Sequence, residues 1–404
     1  LQISTKYYHQ KISILERDRM GKKLRLGMVG GGLDAFIGEV HRKSAALDGH
    51  FDLLAGAFSS SPEKSKKTGD ALGLNPDRVY DSFSQMIEEE SKLPQENRIE
   101  AVSIVTPNHV HFQPAKMALE HGFHVIIDKP LAFTLNEANE LKEIVDKTGL
   151  ILALTHTYTG YPMIKEARHI FESGKLGAVR KVYVEYPQGW LSTALELEGN
   201  KQASWRTDPE RSGEGGAVGD IGTHAANLAE YVSGLIITKV CADINIVVEN
   251  RLLDDDSAAL LKFDNGASGV LMATQVATGE ENDLKLRVYG EKGGLEWTHT
   301  DPNTLLLKPL NEPVSILRAG TDYLSELAQK NTRLPAGHPE GYLEAFANIY
   351  NAFYEAVCDY QSESLKPIKE YDFPDVNDGV RGMAFVSAMI ASGKSEQKWT
   401  PIKL

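Results

Sequence analysis

Three side chains, far apart along the chain, could together move a proton and steady charge on an oxygen. The first lies in Asp128-Lys129-Pro130, directly after the apolar run His124-Val125-Ile126-Ile127. If that run is a strand of an open α/β sheet, Lys129 stands at the carboxyl edge, where such sheets bind ligands. An ammonium held there donates hydrogen bonds to a substrate oxygen and stabilises negative charge on it. The proline fixes the turn, through either a trans or a cis bond. A surface ion pair between Lys129 and Asp128 is the other reading of the tripeptide. The remaining two side chains, Asp220 and His224, close the glycine-rich stretch 213–224, which leads into a helix-like segment, 225–231. Four residues apart, they share a face once a helix has begun. A carboxylate beside an imidazole orients it and raises its basicity, fitting it to take a proton near neutral pH. Asp220 could otherwise cap the helix, with His224 a partly buried, hydrogen-bonded histidine.

Such groups need a scaffold, and its first piece is the strand–turn–helix pattern at 24–47. An apolar run, 24–29, enters Gly30, Gly31 and Gly32; Leu33, Asp34 and Ala35 follow, and a helix-compatible segment opens at Phe36. The spacing Gly30-x-Gly32-x-x-Ala35 fits the G-x-G-x-x-G/A dinucleotide fingerprint. Without Cβ atoms the turn can come close to a phosphate, and the helix-start N–H groups can point at it. Three glycines can also make nothing more than a tight turn. The next strand candidate, 51–58, ends at Ser59, Ser60 and Ser61, with Lys64 one helical turn on. That tip faces the adenosine ribose in a βαβ unit, where an acidic residue would repel a 2′-phosphate. Serines and a lysine can accept that phosphate, and a bare serine tip can also serve NAD; the residues permit NADP without requiring it, so the cofactor expected is NAD or NADP.

Further apolar strands at 100–105, 124–127 and 150–154 alternate with helices, one of them capped by Thr134 with Glu137 three residues on. The alternation predicts a doubly wound parallel sheet with right-handed crossovers. Past residue 155 the pattern changes. A helix at 162–171 precedes strand candidates at 180–186, 237–249, 258–263, 267–276, 284–289 and 294–297, with hairpin turns at 264–266 and 290–293. This half reads as a mostly antiparallel sheet with helices on one side, a loop-rich stretch at 310–340, and closing helices at 341–358 and 377–391. The expected fold class is α/β plus α+β: a Rossmann domain at 22–155, then an open-faced α+β domain at 156–404, after an extension at 1–21.

Together these pieces resemble the Gfo/Idh/MocA oxidoreductases, the family of glucose–fructose oxidoreductase and inositol dehydrogenase. The resemblance runs from about residue 22 to the C-terminus. It rests on the glycine turn, Thr106-Pro107-Asn108-x-x-His111, Lys129-Pro130, Trp205-Arg206 and Asp220-x-x-x-His224. The family usually has Glu before the Lys-Pro pair; Asp128 keeps the acid. The resemblance implies a nicotinamide held between the two domains and Lys129, Asp220 and His224 as the catalytic trio. His224 would take the proton of a sugar or polyol hydroxyl, Asp220 would steady the imidazolium, and Lys129 would bond the reacting oxygen. It also implies that Thr106, Asn108, His111 and Asp128 line the cofactor cleft, and that Trp205 and Arg206 border the substrate. His156 and Tyr158, after the last Rossmann strand, offer donors and acceptors to sugar hydroxyls, and Trp190 a platform for a pyranose face. These aromatics could instead pack a hinge. The expected activity is NAD(P)-dependent dehydrogenation of a sugar, inositol or polyol. The alternatives are a glycoside-modifying enzyme that oxidises its substrate transiently before elimination, and a cofactor-binding sensor without turnover. The family's open sheet face commonly forms homodimers or homotetramers.

Composition narrows the partners. A net charge of −13 argues against nucleic acid and against an anionic membrane surface. No apolar run approaches the roughly 18 residues of a membrane span, and 1–19 lacks the apolar core of a signal peptide. The two cysteines, Cys241 and Cys358, are far apart, consistent with a reducing, cytoplasmic setting. No metal site is expected: His338-Pro339-Glu340 lacks further ligands, and Asp254-Asp255-Asp256 reads as a solvated turn.

Overall fold

The structure, a computed structural model, describes residues 22–404; the expected extension at 1–21 lies outside them. Five strands, β1 (Leu24–Gly30), β2 (Phe51–Ala57), β3 (Ala101–Val105), β4 (His124–Ile127) and β5 (Leu152–Leu154), form a parallel sheet ordered β2-β1-β3-β4-β5. β3 and β4 are buried at every position, which is why they read as unbroken apolar runs rather than alternating ones. On one face Leu24, Leu26, Ala101 and Ile126 meet helix Phe36–Leu47 and, from near the C-terminus, helix Tyr342–Gln361 through Phe346, Tyr350 and Phe353. On the other, Val102, Ile104, Val125 and Ile127 meet Met86, Ala115, Leu119 and Leu141. The chain moves outward from β1 to β2, then returns to place β3 on the other side of β1. That reversal opens a crevice at the carboxyl ends of β1 and β3, the usual place for a ligand in such a sheet.

The second sheet holds nine strands, β6 (Val179–Pro187), β7 (Ile237–Asn245), β8 (Asp256–Phe263), β9 (Ser268–Thr274), β10 (Lys285–Gly290), β11 (Gly293–Thr298), β12 (Thr304–Pro309), β13 (Ser315–Arg318) and β14 (Thr400–Pro401), in the order β13-β12-β11-β10-β6-β9-β8-β7-β14. Its pairings are antiparallel except that of β6 with β9. Inward residues Val182, Val184, Leu271, Leu286 and Val288 pack against helices Pro162–Glu172 and Thr223–Ser233. The alternate positions, Tyr183, Val270 and Tyr289 among them, lie on the open face and are less buried.

β7 stops short of the expected 249. The Asp255 carboxylate accepts the backbone N–H groups of Val247 (2.7 Å) and Val248 (2.9 Å) and turns the chain away from the sheet. β12 and β13 extend the sheet where no strand was expected before 310 and loop thereafter. Leu305-Leu306-Leu307 shows no polar alternation, although Leu305 and Leu307 are buried and Leu306 less so. Helix Val376–Gly393 joins the two cores: Val376, Val380 and Met383 belong to the first, and Phe385, Val386, Met389 and Ile390 to the second. Among the described residues, no helix is long and apolar enough to cross a membrane.

Candidate functional site

The glycine turn lies at the crevice. Gly30 and Gly31 have φ of +83° and +73°, a region in which L side chains are strained. A Cβ on Gly30 would lie 2.9 Å from Thr106 Cγ2, and one on Gly31 the same distance from Val105 Cγ2, so the absence of side chains lets the turn sit against the tip of β3. Gly32 comes close to Phe58 O. Ala35 precedes the helix, its N–H bonded to Gly32 O, and Phe36 opens it with its ring exposed. The first-turn N–H groups of this 12-residue helix are thus presented beside the turn. The Thr106 hydroxyl is buried with no partner among the described residues. A phosphate-bearing dinucleotide fits these features: free helix-start donors, a turn without side chains, and an orphan hydroxyl beside it. At the β2 tip, Ser59 Oγ accepts the Ser61 N–H and Ser61 caps the next helix, while Ser60 and the Lys64 side chain are exposed.

Lys129 follows β4, and the Lys129–Pro130 bond is cis. Behind it Asp128 accepts the Thr155 hydroxyl at 2.8 Å and lies 3.6 Å from His41 Nε2. Burial alone would raise the Asp128 carboxyl, but His41, Lys129 and His111 hold it well below the usual carboxylate range. Asp128 is therefore an anchor for the turn, and it faces His41 rather than open cleft. His111 is wholly buried. Its ring nitrogens contact Pro130 O (2.6 Å) and Thr106 O (2.8 Å), so it ties the tip of β3 to the lysine turn instead of lining the cleft. Asn108 Nδ2 donates to Ser212 O at 3.0 Å and holds the 209–212 turn against the tip of β3.

Asp220 sits in a π-helical turn, Val218–Gly222, that runs directly into helix Thr223–Ser233. Such wide turns are frequent at functional sites. The loop before it is pinned from below: the Asp254 carboxylate accepts Gly216 N–H (2.6 Å) and Val218 N–H (2.8 Å). The acidic run is accordingly not a solvated turn. Asp254 and Asp255 are buried, because each satisfies backbone donors of a neighbouring loop. Lys129 Nζ donates to Asp220 Oδ1 at 2.6 Å and to its carbonyl at 2.5 Å. The other carboxylate oxygen accepts Arg206 Nε (3.2 Å) and Gln275 Nε2 (2.9 Å). Burial opposes its charge, yet Lys129 and Arg206 hold the Asp220 carboxyl far below its ordinary range. Arg206 is itself placed by aromatics, its guanidinium 4.1 Å from the Trp205 ring centre and 5.9 Å from that of Trp190. Trp190 is fixed in turn by its N–H to Gln188 Oε1.

His224 lies beside this cluster. Its recorded ring hydrogen bond goes to another imidazole: His224 Nδ1 and His156 Nδ1 are 3.3 Å apart. The expected Asp220–His224 bond is absent among the described residues, since the wide turn leaves both Asp220 oxygens on Lys129, Arg206 and Gln275. Burial first, then the Lys129 charge and His156, push the His224 imidazolium well below its ordinary range, against the pull of Asp220 and Asp128. His224 is thus a neutral imidazole, buried beside Lys129 and the carboxylates of Asp220 and Asp128. Tyr158 packs edge-on against it, ring centres 5.0 Å apart. The Tyr158 hydroxyl meets that of Tyr186 and accepts Asn282 Nδ2 at 3.3 Å.

Five residues of this architecture carried no motif: Gly38, His41, Gln188, Gln275 and Asn282. Gly38 alone left a readable trace, a small residue in the first turn of the helix that follows the glycines. Lys129, Asp220, Arg206, Trp190, Trp205, His224, His156 and Tyr158 meet at one place. The glycine turn and Thr106 lie at the neighbouring crevice, and Ser59, Ser60 and Lys64 form its outer end.

Known proteins match this chain over both halves. The model of the oxidoreductase family's NAD-binding Rossmann fold matches residues 24–156, and that of the GFO/IDH/MocA C-terminal domain matches 164–296. An uncharacterized oxidoreductase of Bacillus subtilis, YfiI, is 34% identical over 391 residues, 95% of this chain and 98% of that one. Levoglucosan dehydrogenase of Pseudarthrobacter phenanthrenivorans is 26% identical, over 69% of this chain and 74% of its own. The crystal structure of an inositol dehydrogenase homologue from Azotobacter vinelandii, complexed with NADH and myo-inositol, superposes with a TM-score of 0.86 at 33% identity, covering 94% of this chain and 98% of that one.

Proposed function

The chain belongs to the GFO/IDH/MocA oxidoreductases and is an NAD-binding dehydrogenase; on that premise we propose that it oxidises a secondary alcohol of a sugar, inositol or related polyol, or reduces the matching ketone. The observation that carries this reading is the contact of Lys129 Nζ with Asp220 Oδ1 at 2.6 Å, beside a neutral, buried His224. An ammonium and an imidazole at the carboxyl edge of the parallel sheet are the two groups that alcohol oxidation needs. Lys129 donates a hydrogen bond to the substrate oxygen. His224, neutral at pH 7, takes the hydroxyl proton at Nε2. Asp220 keeps Lys129 aimed, and Arg206 and Gln275 hold Asp220. NAD held by the glycine turn beside this cluster would supply the hydride acceptor, so that the alcohol carbon, having lost a hydride and its hydroxyl proton, is left as a ketone. His156 and Tyr158 contact hydroxyls of the substrate, and Trp190 and Trp205 face its ring.

In this reading Gly30, Gly31, Gly32, Ala35 and Phe36 hold the pyrophosphate, Ser59, Ser60 and Lys64 meet the adenosine ribose, and Thr106 and Asn108 flank the nicotinamide end. Residues 22–155 bind the cofactor, and 156–404 supply substrate contacts and the subunit interface. The open face of the nine-stranded sheet, with Tyr183, Tyr289 and the half-exposed Leu260, joins copies of the chain into a homodimer or homotetramer in the cytoplasm.

The test is a screen of inositols, aldoses, levoglucosan, glycosides and their keto derivatives with NAD and NADP, following reduced-nicotinamide absorbance. Stoichiometric formation of reduced cofactor with a cyclic polyol or sugar is the expected result. Release of an aglycone without net reduction would point instead to transient oxidation followed by elimination.

A further inference from the structure

The His156–His224 contact limits the pair to two arrangements of protons. Two nitrogen atoms 3.3 Å apart in a hydrogen bond share one hydrogen. Either His224 Nδ1–H donates to His156 Nδ1, or the reverse. In the second arrangement neutral His224 carries its proton on Nε2 and has no lone pair left to act as a base. In the first, His224 Nε2 is free, and after it takes a proton the Nδ1–H bond to His156 becomes charge-assisted and stronger. The carboxylate that would ordinarily receive such an N–H is unavailable, because Asp220 is fully engaged by Lys129, Arg206 and Gln275.

We infer that His156 is a positioning residue for the proposed reaction: its Nδ1 accepts the His224 Nδ1–H, fixes the tautomer that leaves Nε2 basic, and steadies the imidazolium that proton transfer creates. This deepens the proposed function and rests on its choice of His224 as base. Three features around the pair support it. His156 is 2% exposed and follows β5 at the foot of the crevice, so it is held by the fold, its carbonyl accepting the Thr159 hydroxyl. The groups facing the pair are Lys129 and Asp128 from the β4 turn, Asp220 from the π turn, and Tyr158 and Tyr186 from the α+β half. Burial, with Lys129 next, lowers the His156 imidazolium to about 3, so His156 remains an uncharged acceptor throughout the working range. A neutral ring also avoids placing a second positive charge beside the one His224 acquires. His156 Nε2–H is then left for the substrate, which makes one ring both a contact and a tautomer lock.

The test reads the tautomer directly, without turnover. Long-range proton–nitrogen NMR of the full chain with labelled histidine, with His224→Gln to assign the signals, should find neutral His224 protonated at Nδ1. His156→Asn keeps an oxygen acceptor near the same place and should preserve that tautomer; His156→Leu should lose it. On the best substrate of the screen, kcat should fall about a hundredfold in His156→Leu, within the range expected for losing general-base function. The acidic limb of its pH profile should also move to lower pH, because the imidazolium has lost its acceptor; the repulsion from His156 acts only when that ring is itself charged, below about pH 3. His156→Asn should recover most of kcat, with the remaining defect in KM. A wild-type His224 protonated at Nε2, or a His156→Leu variant with unchanged tautomer and pH profile, overturns the inference. A screen that finds no dehydrogenase substrate counts against the proposed function and leaves the NMR result standing.

Discussion

The Cα of Gly31 lies where a Cβ on Gly38 would have to go, only 2.3 Å away. The glycine turn after β1 and helix Phe36–Leu47 therefore touch backbone to backbone, and this close approach sets the angle at which the first-turn N–H groups meet the crevice. Gly38→Ala should push the helix off the strand. We expect a loss of about 1–3 kcal/mol, as for other overpacked sites, and NAD binding weakened at least tenfold. Thermal denaturation and a fluorescence titration with NAD check both. An unchanged melting temperature would show that the helix has room to move.

Lys129 and His224 give the sharpest kinetic expectations. Lys129→Ala removes the donor to the substrate oxygen, and His224→Ala removes the base. Each should lower kcat by two or more orders of magnitude while leaving NAD affinity near wild type. Because burial and Lys129 push the His224 imidazolium down, the acidic limb of the wild-type kcat profile should fall below the usual histidine range. Lys129→Ala should move that limb to higher pH in whatever activity remains, since a repelling charge has gone. Normal turnover in both alanine variants would remove them from the mechanism.

Gln275→Ala tests the support beneath the trio. Its amide accounts for one of two donors to Asp220 Oδ2, the other being Arg206 Nε. With Arg206 still stacked on Trp205, Asp220 should stay charged but lose its fixed angle, and kcat should drop about tenfold with little change in NAD affinity. A change confined to KM would place Gln275 among the substrate contacts instead.

What could be read from the chain, and what could not, follows one physical distinction. Gly30, Gly31 and Gly32, Lys129, and the Asp220–His224 pair stand out because each needs a particular residue type at a fixed distance from a strand or helix end. The parallel sheet was legible for the same reason: strands buried on both faces become short apolar runs. Gln275 and His156 owe their roles to neighbours 55 and 68 residues away in sequence, and nothing local marks them for those roles. The Asp220–His224 spacing suggested an ion pair that an α-helical turn would allow; the π turn instead delivers Asp220 to Lys129. Asp254 looked solvated because its partners are backbone N–H groups, which no side-chain pattern reveals.

The β2 tip sets an expectation for cofactor choice. Ser60 and the Lys64 ammonium are exposed there, and no acidic residue occupies the tip to repel a 2′-phosphate. NADP should bind within about tenfold of NAD. Lys64→Glu should weaken NADP at least tenfold and leave NAD nearly unchanged, as competitive titrations of the two cofactors would reveal. A hundredfold preference for NAD in the wild type would mean that another group closes the phosphate position.

Stability should carry a pH signature from Asp378, in the first turn of helix Val376–Gly393, which joins the two cores. The Asp378 carboxyl accepts the Asp375 N–H at 2.8 Å, and burial followed by the nearby Asp375 charge raises it to about 7. Below pH 4 both folded and unfolded chains keep this proton. Between about 4 and 7 the unfolded carboxyl ionises while the folded one stays protonated, so the unfolded state binds fewer protons and stability falls as pH rises. Above 7 both are ionised and the loss levels off. Asp378→Asn keeps the oxygen that accepts the Asp375 N–H and removes the titration. The urea midpoint of the variant should therefore match wild type near pH 4, exceed it increasingly up to pH 7, and run parallel beyond. Asp128 and Asp220, lowered rather than raised, act in the opposite sense but are present in both proteins and cancel in the difference. A difference in midpoint that stays constant from pH 4 to 8 would mean that Asp378 ionises in the folded protein as readily as in the unfolded one.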